Sequence, residues 1–278
     1  MSKNCDIMKR MKNNYEMRSR SFLTRRIPVI IRLDGKAFHT YTKGLEKPFD
    51  RELIEDMQLT AQYLCENIQG CKLAYTQSDE ISLLLTDFDN LNSQAWFDYS
   101  VQKIVSVSAS LATAKFNQLR ALRYSDFHMA SEDEDNYDDE SFEYVETHIL
   151  DDLAFFDSRA FNIPKEEVSN YFLARQKDAV KNSVSMLAQS LYSNKDLHKK
   201  NQKEMLVMCE DKGHIWGDLN CYKKIGSTII RNTYINGALL ERIKGEELSY
   251  SEDEVIRNSW EVTVTPEVFN EEYFKEFI

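Results

Sequence analysis

Two apolar stretches that each end on acids constrain this chain more than any other feature. The run Ile27-Pro28-Val29-Ile30-Ile31-Arg32-Leu33-Asp34-Gly35 is rich in Val and Ile and too short for a helix, and so reads as a buried strand. The run Leu73-Ala74-Tyr75-Thr76-Gln77-Ser78-Asp79-Glu80-Ile81-Ser82-Leu83-Leu84-Leu85 reads as two strands around a tight turn at Ser78 and Asp79. Between them Leu53, Ile54, Met57, Ala61, Leu64 and Ile68 recur at helical spacing, predicting a helix that starts near Asp50, after Pro48. Strand, helix and hairpin make the first half of a split β-α-β motif. Adjacent strands then bring Asp34 toward Asp79 and Glu80.

Carboxylates gathered so closely repel one another and raise their own pKa values unless a cation neutralises them. Oxygen-only ligands on rigid strands suit Mg²⁺, which takes one or two carboxylates together with phosphate oxygens. That chemistry serves phosphoryl or nucleotidyl transfer, in which metals hold attacking and leaving oxygens in line. Acids at strand ends are also ordinary solvated turn residues, and spacing alone leaves both readings open.

The particular residues go further. Arg32-Leu33-Asp34-Gly35-Lys36-Ala37-Phe38-His39, Lys47-Pro48-Phe49-Asp50 and Tyr75-Thr76-Gln77-Ser78-Asp79-Glu80-Ile81-Ser82 closely resemble the tRNA(His) guanylyltransferase family, which includes guanylyltransferase-like 3′–5′ RNA polymerases. The resemblance continues through Lys103-Ile104-Val105-Ser106, Phe156-Asp157-Ser158-Arg159 and Arg175-Gln176-Lys177-Asp178 with Asn182, and covers most of residues 5–232 in order. It implies a ferredoxin-like polymerase palm and two Mg²⁺ ions held by Asp34, Asp79 and the carbonyl of Gly35, with Glu80 a required acid whose direct ligation is left open. It implies further that backbone groups through Gly35-Lys36-Ala37-Phe38-His39, assisted by Ser78, Lys47 and Asp50, cradle a nucleoside triphosphate. Gly35 suits close approach of phosphates because it has no Cβ.

Two cations join this set. A lysine in the context of Lys103 is needed for activity in the resembled family, and an ammonium there screens triphosphate charge. Arg32 shares a strand face with Asp34, because side chains alternate, and either contacts phosphate or holds the carboxylates.

Composition sets outer limits. At 278 residues, with 42% apolar and 29% charged content, the chain is expected to be a soluble globular protein with a large core. No apolar run approaches the roughly 20 residues of a membrane span, and residues 1–6 lack the apolar core of a secretory signal. Five scattered cysteines point to reduced thiols in a cytoplasmic protein, and Cys209 and His214, without a Cys-x-x-Cys pair, read as structural. The net charge of −11 sits badly with RNA binding until its distribution is read. Residues 131–140 hold seven acids and no base, and read as an exposed insertion. Residues 1–26 instead carry eight bases against Asp6 and Glu16, and Lys195, Lys199, Lys200 and Lys203 form a second basic group. Such patches neutralise backbone phosphates, although ordinary solvated helix faces look the same in sequence.

The rest of the chain completes the fold expectation. Small residues among Ser106, Ser108, Ala109, Ser110, Ala112 and Ala114 predict a helix from about Tyr99 to Arg120 lying close on the sheet. Phe155–Phe161 reads as a fourth strand, and Pro164, Glu166 and Glu167 open a long helix continued by Val180, Val184, Leu187 and Leu191. A further helical segment is expected around Leu206, and Ser227–Arg231 and Trp260–Val264 look like short paired strands. The expectation is therefore an α+β fold: a ferredoxin-like palm over residues 1–165, its antiparallel sheet backed by helices. A helical C-terminal region, 166–278, packs on it as one unit.

The resemblance also implies the reaction. A 5′-monophosphate RNA end is activated with ATP or GTP, and the 3′-hydroxyl of an incoming nucleotide then attacks it, extending tRNA in the 3′–5′ direction. The family resemblance suggests a homotetramer. One departure bears on the substrate. Eukaryotic members carry a His-Ile-Asn-Asn-type element after Arg-Gln-x-Asp, whereas here Val180 stands for the histidine and Ser183 for the second asparagine. Valine can neither donate nor accept a side-chain hydrogen bond, so template-dependent 5′-end repair fits better than a dedicated tRNA(His) enzyme. Two rivals use other chemistry. A palm-type nucleotide cyclase would need neither Lys47-Pro48-Phe49-Asp50 nor basic patches, and an idle RNA-binding protein would not need all three acids.

Overall fold

A computed structural model describes residues 3–131, 152–236 and 256–278. In chain order the elements that build the sheet and its cover are α1 (Lys3–Met11), β1 (Val29–Gly35), α2 (Phe38–Tyr41), α3 (Arg51–Asn67), β2 (Cys71–Gln77), β3 (Glu80–Leu85), α4 (Val101–Ser131) and β4 (Phe156–Asn162). They are followed by α5 (Val168–Leu191), α6 (Gln202–Asp211), α7 (Cys221–Ile225), β5 (Ser227–Ile235), β6 (Ile256–Thr263) and α8 (Glu271–Phe274). The sheet runs in the order β4-β1-β3-β2-β5-β6, and all of its pairs are antiparallel. Its first four strands, with α3 and α4 as the crossovers, are the β-α-β-β-α-β arrangement of a ferredoxin-like palm.

The opening of β1, Val29–Ile31, is apolar without alternation because both of its faces are covered. Val29, Ile31 and Leu33 pack with Met57, Leu64 and Phe116 under α3 and α4, while Ile30 turns to the other layer with Phe172 and Phe269. Each such fully buried side chain contributes about 1.5–3 kcal/mol. Asp50 caps α3 by accepting from the Leu53 amide at 2.7 Å, which explains why the helix starts where it does. It ends at Asn67, and the turn that follows into β2 needs Gly70 at φ +82°, where a Cβ would lie 2.5 Å from the Thr86 carbonyl oxygen. Inside the layer, Asp56 is fully buried between Arg120 (3.1 Å) and Arg123 (2.7 Å), which locks α3 to α4.

Two expectations change in extent. The helix after the hairpin runs on to Ser131, beyond Arg120, and carries its polar residues against β4: Ser108 to Ser158 at 2.8 Å and Thr113 to the Phe156 amide at 3.2 Å. Residues 166–278 hold α5 and α6, but they also supply β5 and β6, which pair over eight positions and extend the palm sheet past β2. The sheet thus crosses the division at residue 165. The acidic segment, apart from Ser131, lies outside the described residues. Among the described residues no helix is long and apolar enough to cross a membrane.

Candidate active site

The strand ends meet as the motif spacing requires. Asp34 lies opposite Glu80 on β3 and opposite Asp157 on β4, and the Gly35 amide donates to the Asp79 carbonyl at 3.0 Å. The Ser78–Asp79 turn is thereby tied directly to the end of β1. Burial, with repulsion from Asp34 added, pushes the Asp79 carboxyl up, against hydrogen bonds from its own backbone and Ser78 and the pull of Arg32. Two partly exposed carboxylates that repel each other beside a strand end are a hard-oxygen site suited to a divalent cation.

Glu80 is different. Its carboxylate is buried and lies 2.7 Å from Arg32 and 3.2 Å from Arg175, both on Oε2, while Oε1 accepts from Ser82 at 3.4 Å. Burial pushes its pKa up, and Arg32 and Arg175 oppose the shift. Both oxygens are therefore engaged within the protein. The expected cluster of three acids becomes a pair, Asp34 and Asp79, plus a neutralised third. In agreement, no group of three or more acids, histidines or cysteines among the described residues is assembled to hold an ion. Asp34, Asp79 and the Gly35 carbonyl still fit Mg²⁺, which needs only one or two carboxylates when phosphate oxygens supply the rest.

The segment after Gly35 bends sharply. Ala37 has φ 55° and Ser78, across the hairpin, φ 51°; both are exposed. A non-glycine residue held there costs on the order of 1–3 kcal/mol, and such strain gathers at ligand clamps. Lys36, His39 and Lys47 are exposed, with Lys36 lying 5.9 Å from the centre of the Phe155 ring. Phe38 contributes only backbone to this surface, because its ring is buried among Tyr41, Phe116 and Phe156. Asp50 accepts from the Leu53 amide and, at 3.2 Å, from the Glu46 amide, so its oxygens already serve as a cap. It nevertheless lines a groove beside Ser78 with Phe49, Gln77, Asn182 and Tyr222.

Lys103 stands apart from the carboxylates. It is exposed in the first turn of α4, 5.6 Å from the Phe97 ring centre. The helix meets Ser158, the partner of Leu33, only at Ser108, more than one turn later. Of the N-terminal bases, Arg25 is engaged internally with Asp87 at 2.6 Å and Asp98 at 3.0 Å, so it is not an open phosphate contact. Lys195, Lys199 and Lys203 are exposed, and Lys200 pairs with Glu204 at 3.6 Å. Cys209 is buried in a small core with Leu187 and Leu197, as a structural residue.

Three residues at the site had no assigned role. Asp157 and Arg159 project from β4 on the face of Asp34, with Arg159 3.5 Å from Asp157 and 3.9 Å from Asp34. Arg175 reaches Glu80 from α5. Period-two alternation in Phe156-Asp157-Ser158-Arg159 was the available signal for the first two. For Arg175 the pairing with Glu80 has no local signature.

A family model, Thg1: tRNAHis guanylyltransferase, matches residues 8–164, more than half of the chain. The chain belongs to the tRNA(His) guanylyltransferase family. The family consists of nucleotidyltransferases, and this chain is one of them. Among solved structures, a bacterial tRNA(His) guanylyltransferase (Thg1)-like protein in complex with ATP is 40% identical, with a TM-score of 0.76 over 98% of both chains. One in complex with GTP is 39% identical at a TM-score of 0.72, again over 98% of both. The tRNA(His) guanylyltransferase of Schizosaccharomyces pombe is 33% identical over 90 residues, 32% of this chain and 33% of that enzyme. The strand-end acids Asp34 and Asp79 fall inside the matched family region, while Arg175 lies beyond it.

Proposed function

We propose that this guanylyltransferase-family chain extends tRNA at its 5′ end in the 3′–5′ direction, choosing each nucleotide by pairing with the opposite strand. The observation that carries the reading is the Asp34–Asp79 pair, held by the Gly35 amide next to two strained, exposed turns. The likeness to bacterial relatives in complex with ATP and with GTP supports nucleoside triphosphates as substrates.

Mg²⁺, as two ions, would be held by Asp34, Asp79 and the Gly35 carbonyl and would supply charge neutralisation for in-line displacement at phosphorus. The remaining work falls to the chain itself. In the first step an oxygen of the RNA 5′-monophosphate attacks the α-phosphorus of ATP and pyrophosphate leaves. In the second the 3′-hydroxyl of the incoming nucleotide attacks the activated 5′-phosphorus, AMP leaves and the hydroxyl proton passes to solvent. The bend at Lys36–His39 and the hydroxyl of Ser78 hold the triphosphate, and Lys36 and Lys47 supply cations. The groove at Phe49, Asp50 and Asn182 receives the base. Lys103, displaced from the carboxylates within this chain, is assigned to outer phosphate groups or to RNA. We assign the working unit as a homotetramer in the cytoplasm, with RNA phosphates contacting the exposed lysines at 195–203.

The branch assignment rests on α5. The Val180 side chain offers no polar atom, and the Ser183 hydroxyl is used internally: it lies 2.9 Å and 3.2 Å from the Val180 and Lys224 carbonyls and accepts from the Trp216 indole at 3.0 Å. Neither residue is left to read an identity element, so specificity falls to Watson–Crick pairing while phosphate contacts hold the acceptor end. The test is extension of 5′-truncated tRNA(His) and two unrelated truncated tRNAs with the template base varied in each. Addition should follow the template base on all three. Guanylate added to tRNA(His) alone, whatever the template base, would return the chain to the dedicated enzymes, and a cyclic product without RNA would make it a cyclase.

A further inference from the structure

We propose that Arg175 is a positioning residue for nucleotidyl transfer: with Arg32 it pins the buried Glu80 and so holds the Ser78–Asp79 turn against the end of β1. The proposal rests on the function just given. It begins from a charge imbalance. Two guanidiniums, at 2.7 Å and 3.2 Å, share one oxygen of a carboxylate that is itself 5% exposed. Apart from the Tyr171 hydroxyl, which lies 2.9 Å from Ser82 Oγ on β3, α5 meets the sheet elsewhere through apolar side chains such as Val168 and Phe172, so packing does not call for a cation at this position. Desolvating ions is expensive, and an apolar contact of similar volume often stabilises a fold as well or better. The ion cluster is therefore better explained by what it holds than by the adhesion it supplies.

What it holds is adjacent in the chain. Glu80 follows Asp79 directly, is the register partner of Asp34, and opens β3 at the turn. The Asp79 carbonyl in turn accepts the Gly35 amide at 3.0 Å. A displacement of Glu80 thus passes through one residue to both the Asp79 carboxylate and the Gly35 carbonyl. Arg175 is anchored on its own helix by Asp178 at 3.8 Å, so its reach to Glu80 fixes the spacing between α5 and β3.

The experiment is a cycle of Arg175→Ala, Glu80→Gln and the double variant, assayed for nucleotide addition to a truncated tRNA and for unfolding. Arg175→Ala should cut kcat by about 10- to 100-fold while the triphosphate KM changes less than about threefold, the pattern of misplaced reacting groups rather than lost binding. Because Arg175 acts through Glu80, the double variant should be no slower than Glu80→Gln alone. Gln176→Ala serves as a control on the same helix. It breaks the 2.7 Å bond to the Pro266 carbonyl and the 3.0 Å bond from the Phe269 amide, and should lower stability without a comparable loss of kcat. Arg175→Met, which keeps the apolar stem, replaces the alanine variant if that fails to fold. Wild-type turnover in the Arg175 variants, additive losses in the double variant, or an equal loss in Gln176→Ala would each overturn the proposal. An unaltered chain that adds no nucleotide would instead remove the proposed function, and this inference with it.

Discussion

Gly35→Ala is the most demanding test of how the site is built. An added Cβ would lie 2.2, 2.5 and 2.6 Å from Cδ2, Cε2 and Cγ of Phe38. Carbon atoms pack best at about 3.5–4.0 Å, so the ring would have to retreat by more than about 1 Å. It has nowhere to go: Phe38 is 4% exposed, with the rings of Tyr41, Phe116 and Phe156 centred 5.1–5.6 Å away. Overpacking of this kind costs about 1–3 kcal/mol, and the closed cage puts it in the upper part of that range. For a chain of this size the thermal midpoint should then fall by about 3–5 °C. The strain falls on a residue whose amide holds Asp79, and a misplacement near 1 Å costs on the order of a hundredfold in rate. Differential scanning calorimetry and a single-turnover extension assay would read the two effects. Phe38→Leu in the same background should relieve the clash, so the double variant should be more stable than the sum of the single losses. A Gly35→Ala protein that melts within a degree of wild type and turns over normally would refute the steric argument.

Two further outcomes are expected. Asp34→Ala and Asp79→Ala should each abolish nucleotide addition while leaving the circular-dichroism spectrum and cooperative unfolding intact, and near-normal turnover of either at ordinary Mg²⁺ would end the two-metal reading. Asp56→Ala should destabilise by about 3–5 kcal/mol in urea unfolding, because it leaves Arg120, 5% exposed, without its buried partner; a loss under about 1 kcal/mol would show that the pair is dispensable.

Much of the site was legible because it is local. The apolar run of β1, the turn at Ser78 and Asp79, and the cap at Asp50 are each written within a few neighbouring residues, where backbone sterics and short-range hydrogen bonds decide the conformation. The split β-α-β order also brought Asp34 near Asp79 and Glu80, but the register that sets Asp34 opposite Glu80 joins two strands that no hairpin connects, and it was fixed only by their packing. The faces of the strands were legible too, since alternation puts Arg32 with Asp34 and lets it reach Glu80 across the pair.

What the sequence left undecided depends on contacts between distant segments. Whether Glu80 faces solvent, a metal or an arginine turns on α5 arriving over β3, and Arg175 is 95 residues away in the chain. The same holds for Phe38. Nothing in Gly35-Lys36-Ala37-Phe38-His39 tells that its ring is core and only its backbone lines the surface, because that requires Phe116 and Phe156 to close over it. The position of Lys103 follows from where α4 crosses β4, at Ser108 and Thr113, and not from its own neighbours. Sequence by itself determined which atoms are available for the chemistry, since residue identity and strand period set them. Tertiary structure decided which remain available, because burial and long-range ion pairing turned three like acids into two open carboxylates and one held fast.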